Sequence, residues 1–478
     1  MTRFVRSSLA AALLCAAMPL VTPLATPIAA QRPAGRLADQ RRPFGTLREQ
    51  AVRQQRWLET RMKTVLPALM RSHGIDMWVV PMREYAEDPV FSSLVSPTTF
   101  AARRRTIYVM FDQCSSSGRT DPGDGSCVER IALGGSSQGG VWQAMRSTLA
   151  VEAPVGGQQA ELWGDEQWKL LKKVVDERKP RVIGIDYSRT FAFSDGLTHG
   201  EYLGMTEALG DRWNARLKPA EELPLQFIAS RVADEDAFYG EMMQLVWELI
   251  GEMYSSKVIV PGKTRTSDLV WWWRQRVNDL GLGTWFQPSI EVQRAGATEE
   301  SLGSDPIIQR GDVLHCDVGI TALGLNTDTQ HMAYVLKTGE KSAPAGLQKA
   351  LENGNALQDI VMAEMRPGRS GNEILAAART QMTTRGITGT IYSHPIGMHG
   401  HGAGPLVGLW DYQAGVPGRG DSKVIANMWY SIELQATTPV AEWNGQQVRM
   451  ALEEDMMIGT DGTPRWARGQ QKTLWLVR

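Results

Sequence analysis

Three acidic residues in the C-terminal third, Asp317, Glu433 and Glu454, stand inside apolar runs that otherwise read as buried strands, and a fourth, Asp328, follows Asp317 by eleven residues. That placement constrains the fold more than any other feature of the chain. An isolated carboxylate is expensive to bury, and four brought together repel one another and resist ionisation. With His394 they form a ligand set for two adjacent divalent cations, whose four positive charges match the four negative ones. Two ions roughly 3.5–4 Å apart can deprotonate a water and polarise a carbonyl, which is the equipment of a hydrolase. A salt bridge to Arg449 is the simpler reading for one of the glutamates, but it does not serve both.

The local patterns place these residues on strands. Residues 313–320 alternate, so Val313, His315 and Asp317 share one face and Leu314, Cys316 and Val318 the other. The turn at Gly324 to Thr327 then returns Asp328 on the neighbouring strand. Two acids in such a hairpin are common by chance, and the histidines carry more weight. Three of the seven in the chain fall in His394-Pro395-Ile396-Gly397-Met398-His399-Gly400-His401-Gly402. The glycines of that run let backbone approach an ion or substrate closely. A solvated metal-scavenging loop would have no need of acids elsewhere. Ile432-Glu433-Leu434 and Glu454-Asp455-Met456-Met457-Ile458 each put a carboxylate into an apolar strand.

With 478 residues, 42% of them apolar, the chain has length for two domains with cores of their own. Its net charge of −1 argues against a nucleic-acid partner, since no basic excess is present to release counterions. Arg3 and Arg6 precede an apolar stretch from Leu9 to Leu20 and small residues up to Ala30, the pattern of a cleavable export signal over residues 1–30. An uncleaved anchor is the alternative, but the stretch is short for a membrane span. The expectation is an exported protein, periplasmic or secreted, with no stable membrane span once the signal is removed. Residues 31–45 read as a tether. In an oxidising compartment Cys114 and Cys127, flanking a Ser/Gly/Asp-rich loop, form a disulfide or remain two free thiols.

Residues 46–233 read as an α/β domain: a helix from Leu47 to Arg71, strands at Met77 to Pro81, Thr106 to Phe111 and Arg181 to Asp186, and a helix between Gln159 and Glu177. A second domain spans 234–478. Its apolar stripe Phe238, Met242, Leu245, Val246, Leu249 and Met253 predicts a helix ending before Pro261-Gly262. The same grammar returns after Pro344, with a stop at Pro367-Gly368 and a capping box of Ser370 and Glu373. This reads as a degenerate duplication, two halves of paired helices followed by strands packed around one site.

The order Asp317, Asp328, His394, Glu433, Glu454 resembles the pita-bread metallopeptidases, among them methionine aminopeptidase, Xaa-Pro aminopeptidase and Xaa-Pro dipeptidase, with creatinase as a metal-free relative. The resemblance covers residues 234–465. It extends more weakly to the preceding domain, where a helix and Gly74-Ile75-Asp76 are similar to the creatinase-type N-terminal domain. It implies an α+β fold, with a C-terminal pita-bread domain of duplicated halves preceded by an α/β creatinase-like domain. It also implies that Asp317 binds one metal, that Asp328 and Glu454 bridge both, and that His394 and Glu433 complete the other. Glu433 would shuttle the proton, and His401 would contact the substrate carbonyl or its oxyanion. The implied reaction is attack of metal-bound hydroxide on a peptide bond, of X-Pro type from the family's habit, with peptide as the partner and a homodimer as the assembly. Mostly oxygen ligands with one nitrogen suit Mn²⁺, with Co²⁺, Zn²⁺ or Fe²⁺ as substitutes.

The sequence departs from the family's pattern in places. Pro395 stands where the family has Gly, and the stretch from Phe286 to Asp312 lacks a histidine that relatives use to contact substrate. The doublet Glu453-Glu454 leaves the last ligand ambiguous, and Glu454 is taken because Asp455 and the apolar strand follow it. His399 has no counterpart, and His315 and His331 read as structural or supporting. The alternative function is a catalytically impaired relative that binds peptides or another protein.

Overall fold

The computed structural model describes residues 35–102, 104–146 and 166–478. The expected signal at 1–30, the start of the tether, and the beginning of the helix expected from Gln159 lie outside the described residues. The described residues from 36 onward form one compact unit.

Two sheets organise that unit. The first is mixed, with six strands: β1 (Met77–Arg83), β2 (Arg105–Asp112), β3 (Val128–Leu133), β4 (Gln143–Met145), β5 (Ile183–Ile185) and β6 (Leu217–Pro219), in the order β4-β3-β2-β1-β5-β6. Strand β1 is apolar almost throughout because helices cover both faces of the sheet. Trp78, Val80 and Met82 pack with Leu58, Met62 and Leu66 of the helix Leu47–Ser72, while Met77 and Val79 pack with Leu171, Val174 and Val175 of the helix Glu166–Arg178. The long helix starts in a capping box, in which the Thr46 N–H donates to Glu49 Oε2 at 2.7 Å.

Cys114 and Cys127 form a disulfide across the connection from β2 to β3. Closing a loop of that length removes unfolded-state entropy worth about 3 kcal/mol. Replacing both cysteines with serine should therefore lower unfolding stability by about that amount, measured as a reduced urea midpoint.

The second sheet carries the acids. Its strands are β7 (Ser289–Gln293), β8 (Val313–Val318), β11 (Thr329–Val335), β12 (Thr388–Ile391), β13 (His394–Ile396), β14 (Met428–Val440), β15 (Gln446–Ile458), β16 (Pro464–Trp466) and β17 (Trp475–Val477). Between β8 and β11 a small ladder, β9 (Thr321–Ala322) with β10 (Leu325–Asn326), closes the hairpin. The main path runs β12-β14-β15-β11-β8-β7. Inner strands β15 and β11 meet at one register pair, Gln330 opposite Glu453. Outward from that seam each half repeats the same order. The helices Ala233–Met253 and Thr266–Asp279 precede β7, β8 and β11; the helices Ala345–Glu364 and Gly371–Thr384 precede β12, β14 and β15. The duplication read from helix punctuation is thus the architecture of this domain, down to the Ser370–Glu373 capping box.

Helices cover one face of this sheet. Leu314, Cys316 and Val318 share a core with Leu245, Leu249 and Trp273 in one half, and Ile432 and Leu434 share another with Leu357, Ile360 and Ile374. Alternation then sends Asp317 and Glu433 to the opposite face.

Residues 36–45, expected as a tether, are instead docked. Ala38 and Phe44 are buried in the core around the helix Ala233–Met253, the Phe44 ring lies 4.9 Å from that of Phe238, and the Ala38 N–H donates to Glu248 Oε2 at 2.9 Å. The Arg, Pro and Gln content of the segment concealed two apolar anchors large enough to hold it.

Candidate metal centre

Strand β8 carries Asp317, the end of the β9–β10 ladder delivers Asp328, β13 carries His394, and the hairpin β14–β15 supplies the remaining acids. Side chains of Asp317, Asp328, His394 and Glu433 lie together. The fifth member is Glu453 and not Glu454. Glu453 lies directly opposite Glu433 in the hairpin register, and Glu454 lies opposite Ile432. Successive residues of a strand face opposite ways, so only one of the doublet can join Glu433.

Glu454 is committed on the other face. Its Oε1 is 2.8 Å from His331 Nε2 and accepts the Gln471 N–H at 3.1 Å. Trp475 Nε1 donates to His331 Nδ1 at 3.1 Å, which leaves the His331 proton on Nε2, pointing at Glu454. Burial holds this imidazole down to about 3, so it is neutral.

Donor atoms of His394, Glu433 and Glu453 can lie within 4.8 Å of one another, as can those of Asp317, Asp328 and Glu453. The two triads share Glu453. His394 Nε2 is 3.3 Å from Glu453 Oε1 and 3.7 Å from both Asp328 Oδ2 and Glu433 Oε2. Its Nδ1 lies 3.0 Å from the Pro395 carbonyl, which can only accept, so Nε2 carries the lone pair that faces the acids. Among the described residues His394 Nε2, Asp317 Oδ1 and Asp328 Oδ1 are buried without a hydrogen-bond partner. Lone pairs converging on lone pairs are repulsive until a cation stands between them.

The titration of these groups agrees. Burial, then Glu453, pushes Asp317 up to about 7. Burial and the neighbouring carboxylates hold Asp328 and Glu433 well above the usual range. Asp455 is also raised by burial; its Oδ2 lies 2.7 Å from the Tyr239 hydroxyl and accepts the Asp328 N–H at 3.2 Å, which fixes the backbone at Asp328.

His401 stands at the mouth. Its ring lies 4.7 Å from that of His394, and it is the exposed member of a third group with Asp328 and His394. The walls beside it are Trp285, at 5.3 Å, and Tyr392, at 6.0 Å. Two glycines of the run allow close packing, Gly400 against Trp285 and Gly402 against the loop's own backbone. A Cβ on Gly400 would meet the Trp285 indole at 2.3 Å, and one on Gly402 would meet the Pro395 carbonyl at 2.7 Å.

Sequence reasoning missed Glu453 as a member of this cluster and Gln330 as its neighbour. A signal for the first existed: Asn444 and Gly445, both with positive φ, form the hairpin turn. Counting back from that turn sets Glu433 against Glu453.

Comparison with known proteins decides the family. The sequence over residues 241–460 matches the model of metallopeptidase family M24. Those residues belong to family M24. No curated protein matches the sequence. Among solved structures the chain is similar to X-Pro aminopeptidase from Thermotoga maritima, with TM-score 0.57 and 15% identity over 86% of this chain and 100% of that one. It is also similar to Xaa-Pro dipeptidase from Bacillus anthracis, with TM-score 0.55 and 16% identity over 88% and 99%. The N-terminal domain of the FACT complex subunit SPT16 from chickpea has the fold as well, with TM-score 0.51 and 12% identity over 89% and 99%. At these identities the shared property is the fold, and the M24 match with its converging acids makes the chain a metal-dependent peptidase.

Proposed function

We propose that the chain is an exported exopeptidase with two divalent metal ions, acting on X-Pro peptides. The observation that carries the reading is the pair of triads sharing Glu453, with partnerless buried donors at Asp317, Asp328 and His394. Asp317, Asp328 and Glu453 would hold one ion and His394, Glu433 and Glu453 the other, with Asp328 also within reach of His394. When bound, the ions supply Lewis acidity and a lowered water pKa, and oxygen-rich ligation favours Mn²⁺.

The protein's own side chains do the rest. Glu433 keeps Oε2 free while Oε1 accepts from Gln330 at 2.7 Å, so one oxygen can take a proton from the attacking water and pass it to the leaving amine. His401 offers its imidazole to the substrate carbonyl oxygen as charge builds there. Trp285 and Tyr392 shield the opening from bulk water. The X-Pro preference rests on the names of the two peptidase neighbours. Export is supported by the N-terminal pattern and by the Cys114–Cys127 disulfide, since such bonds persist in oxidising compartments. No helix of the described residues is long and apolar enough to cross a membrane.

The testing assay supplies Mn²⁺ and follows release of the N-terminal residue from an X-Pro dipeptide and a longer X-Pro peptide. Hydrolysis is expected with metal and none after chelation. Stoichiometric metal binding without hydrolysis of either substrate would favour a peptide-binding relative, the reading to which the missing upstream histidine points.

A further inference from the structure

Gln330 lies on β11, buried, between the two glutamates of the centre. Its amide nitrogen donates to Glu433 Oε1 at 2.7 Å and to Glu453 Oε2 at 2.9 Å. These glutamates are direct cross-strand partners, an arrangement in which like charges destabilise a sheet. A neutral amide with two N–H groups relieves the repulsion by fixing one oxygen of each. The other oxygens, Glu433 Oε2 and Glu453 Oε1, then face His394 Nε2 at 3.7 and 3.3 Å, and Glu453 Oε1 also accepts from the Ser431 hydroxyl at 2.6 Å.

An amide turned over would set its carbonyl oxygen against both carboxylates, at little steric cost. His315 Nε2 lies 3.0 Å from Gln330 Oε1, and the tautomer with its proton on Nε2 donates there and removes that option. His315 Nδ1 is in turn 3.3 Å from Glu291 Oε2, and Glu291 pairs with Arg449 at the sheet edge. The chain of contacts follows the register: Glu291 is the cross-strand partner of His315, and Gln330 is the partner of both Asp317 and Glu453. One sheet face thus sets Arg449, Glu291, His315 and Gln330 side by side up to Glu433 and Glu453.

We propose that Gln330, oriented by His315, is the positioning residue of the metal centre: its amide presents Glu433 Oε2 and Glu453 Oε1 to the ions and so sets their affinity. The inference rests on the metallopeptidase reading above. It assigns no ligation and no proton transfer to Gln330 itself.

Equilibrium dialysis with Mn²⁺ on wild-type protein, Gln330→Met, His315→Phe and the double variant tests it, with circular dichroism confirming the fold of each. Gln330→Met keeps the length of the side chain and removes its hydrogen bonds; affinity is expected to fall by about 10- to 100-fold. His315→Phe should lose affinity in the same direction, and the double variant should lose less than the product of the two. At saturating Co²⁺ the visible absorption band of Gln330→Met should shift, since the ligand oxygens are re-aimed, a change that lost stability alone would not cause. Affinity within twofold of wild type, or losses that multiply without interaction, would overturn the assignment. If Gln330→Met does not fold, His315→Phe carries the same test, and an unchanged affinity there is equally fatal. Wild-type protein that binds no divalent ion would sink the metallopeptidase reading itself, a distinct outcome.

Discussion

Glu453→Ala is expected to abolish metal binding and hydrolysis, whereas Glu454→Ala is expected to retain the metal and to lose stability. Glu453 belongs to both triads, so its removal takes a ligand from each ion position. The loss should exceed the roughly 10- to 100-fold typical of residues that only support metal ligands. Glu454 accepts hydrogen bonds from His331 and Gln471 in a sealed environment on the opposite face. Without it two buried donors lose their acceptor, at a cost of about 3 kcal/mol. Metal content after dialysis and urea denaturation separate the two effects. Equal metal loss in both variants would return Glu454 to the centre and contradict the register of the β14–β15 hairpin.

The second large effect is the pH dependence of metal stabilisation. Without metal, Asp317 titrates at about 7 in the folded protein, and Asp328 and Glu433 are also raised. In the unfolded chain carboxylates titrate near 4, at about 3.9 for Asp and 4.3 for Glu. A folded state that keeps protons to higher pH gains its advantage at low pH. That advantage is full below about 4 and is lost as pH rises through about 7. Divalent ions take the place of those protons, so they should help most where the protons are gone. Saturating Mn²⁺ is therefore expected to raise Tm by several degrees at pH 8 and by much less at pH 5.5. A free ion concentration of 100 times Kd contributes about 2.7 kcal/mol. Calorimetry in two buffers of different ionisation heat should also register protons released on binding. Equal Tm gains at the two pH values would mean that the acids do not hold protons in the metal-free centre.

Much of the architecture is legible from local pattern. The alternation of residues 313–320 places Asp317 on the face away from Cys316, and the stripe from Phe238 to Met253 predicts the helix Ala233–Met253, because each depends only on side-chain period within one element. The repeat of helix stops and caps reveals two halves, since caps are local chemistry. Asp317 and Glu433 are readable as members of one buried cluster because a carboxylate in an apolar strand needs a cation or several donors to offset its lost hydration. Residues 36–45 escape such a reading, because composition averages over the two apolar side chains, Ala38 and Phe44, that dock the segment.

By itself the sequence determined which residue types must be buried and on which elements they ride. It could not choose between Glu453 and Glu454, nor reveal that Gln330 lies between two glutamates. A strand's sequence dictates the alternation of its faces but not which face meets the site. That is settled by register, through the Asn444-Gly445 turn and the pairing of β15 with β11 at Gln330 and Glu453. A slip of one residue would exchange the two glutamates between a metal centre and a sealed hydrogen-bond network, and only the assembled sheet excludes it.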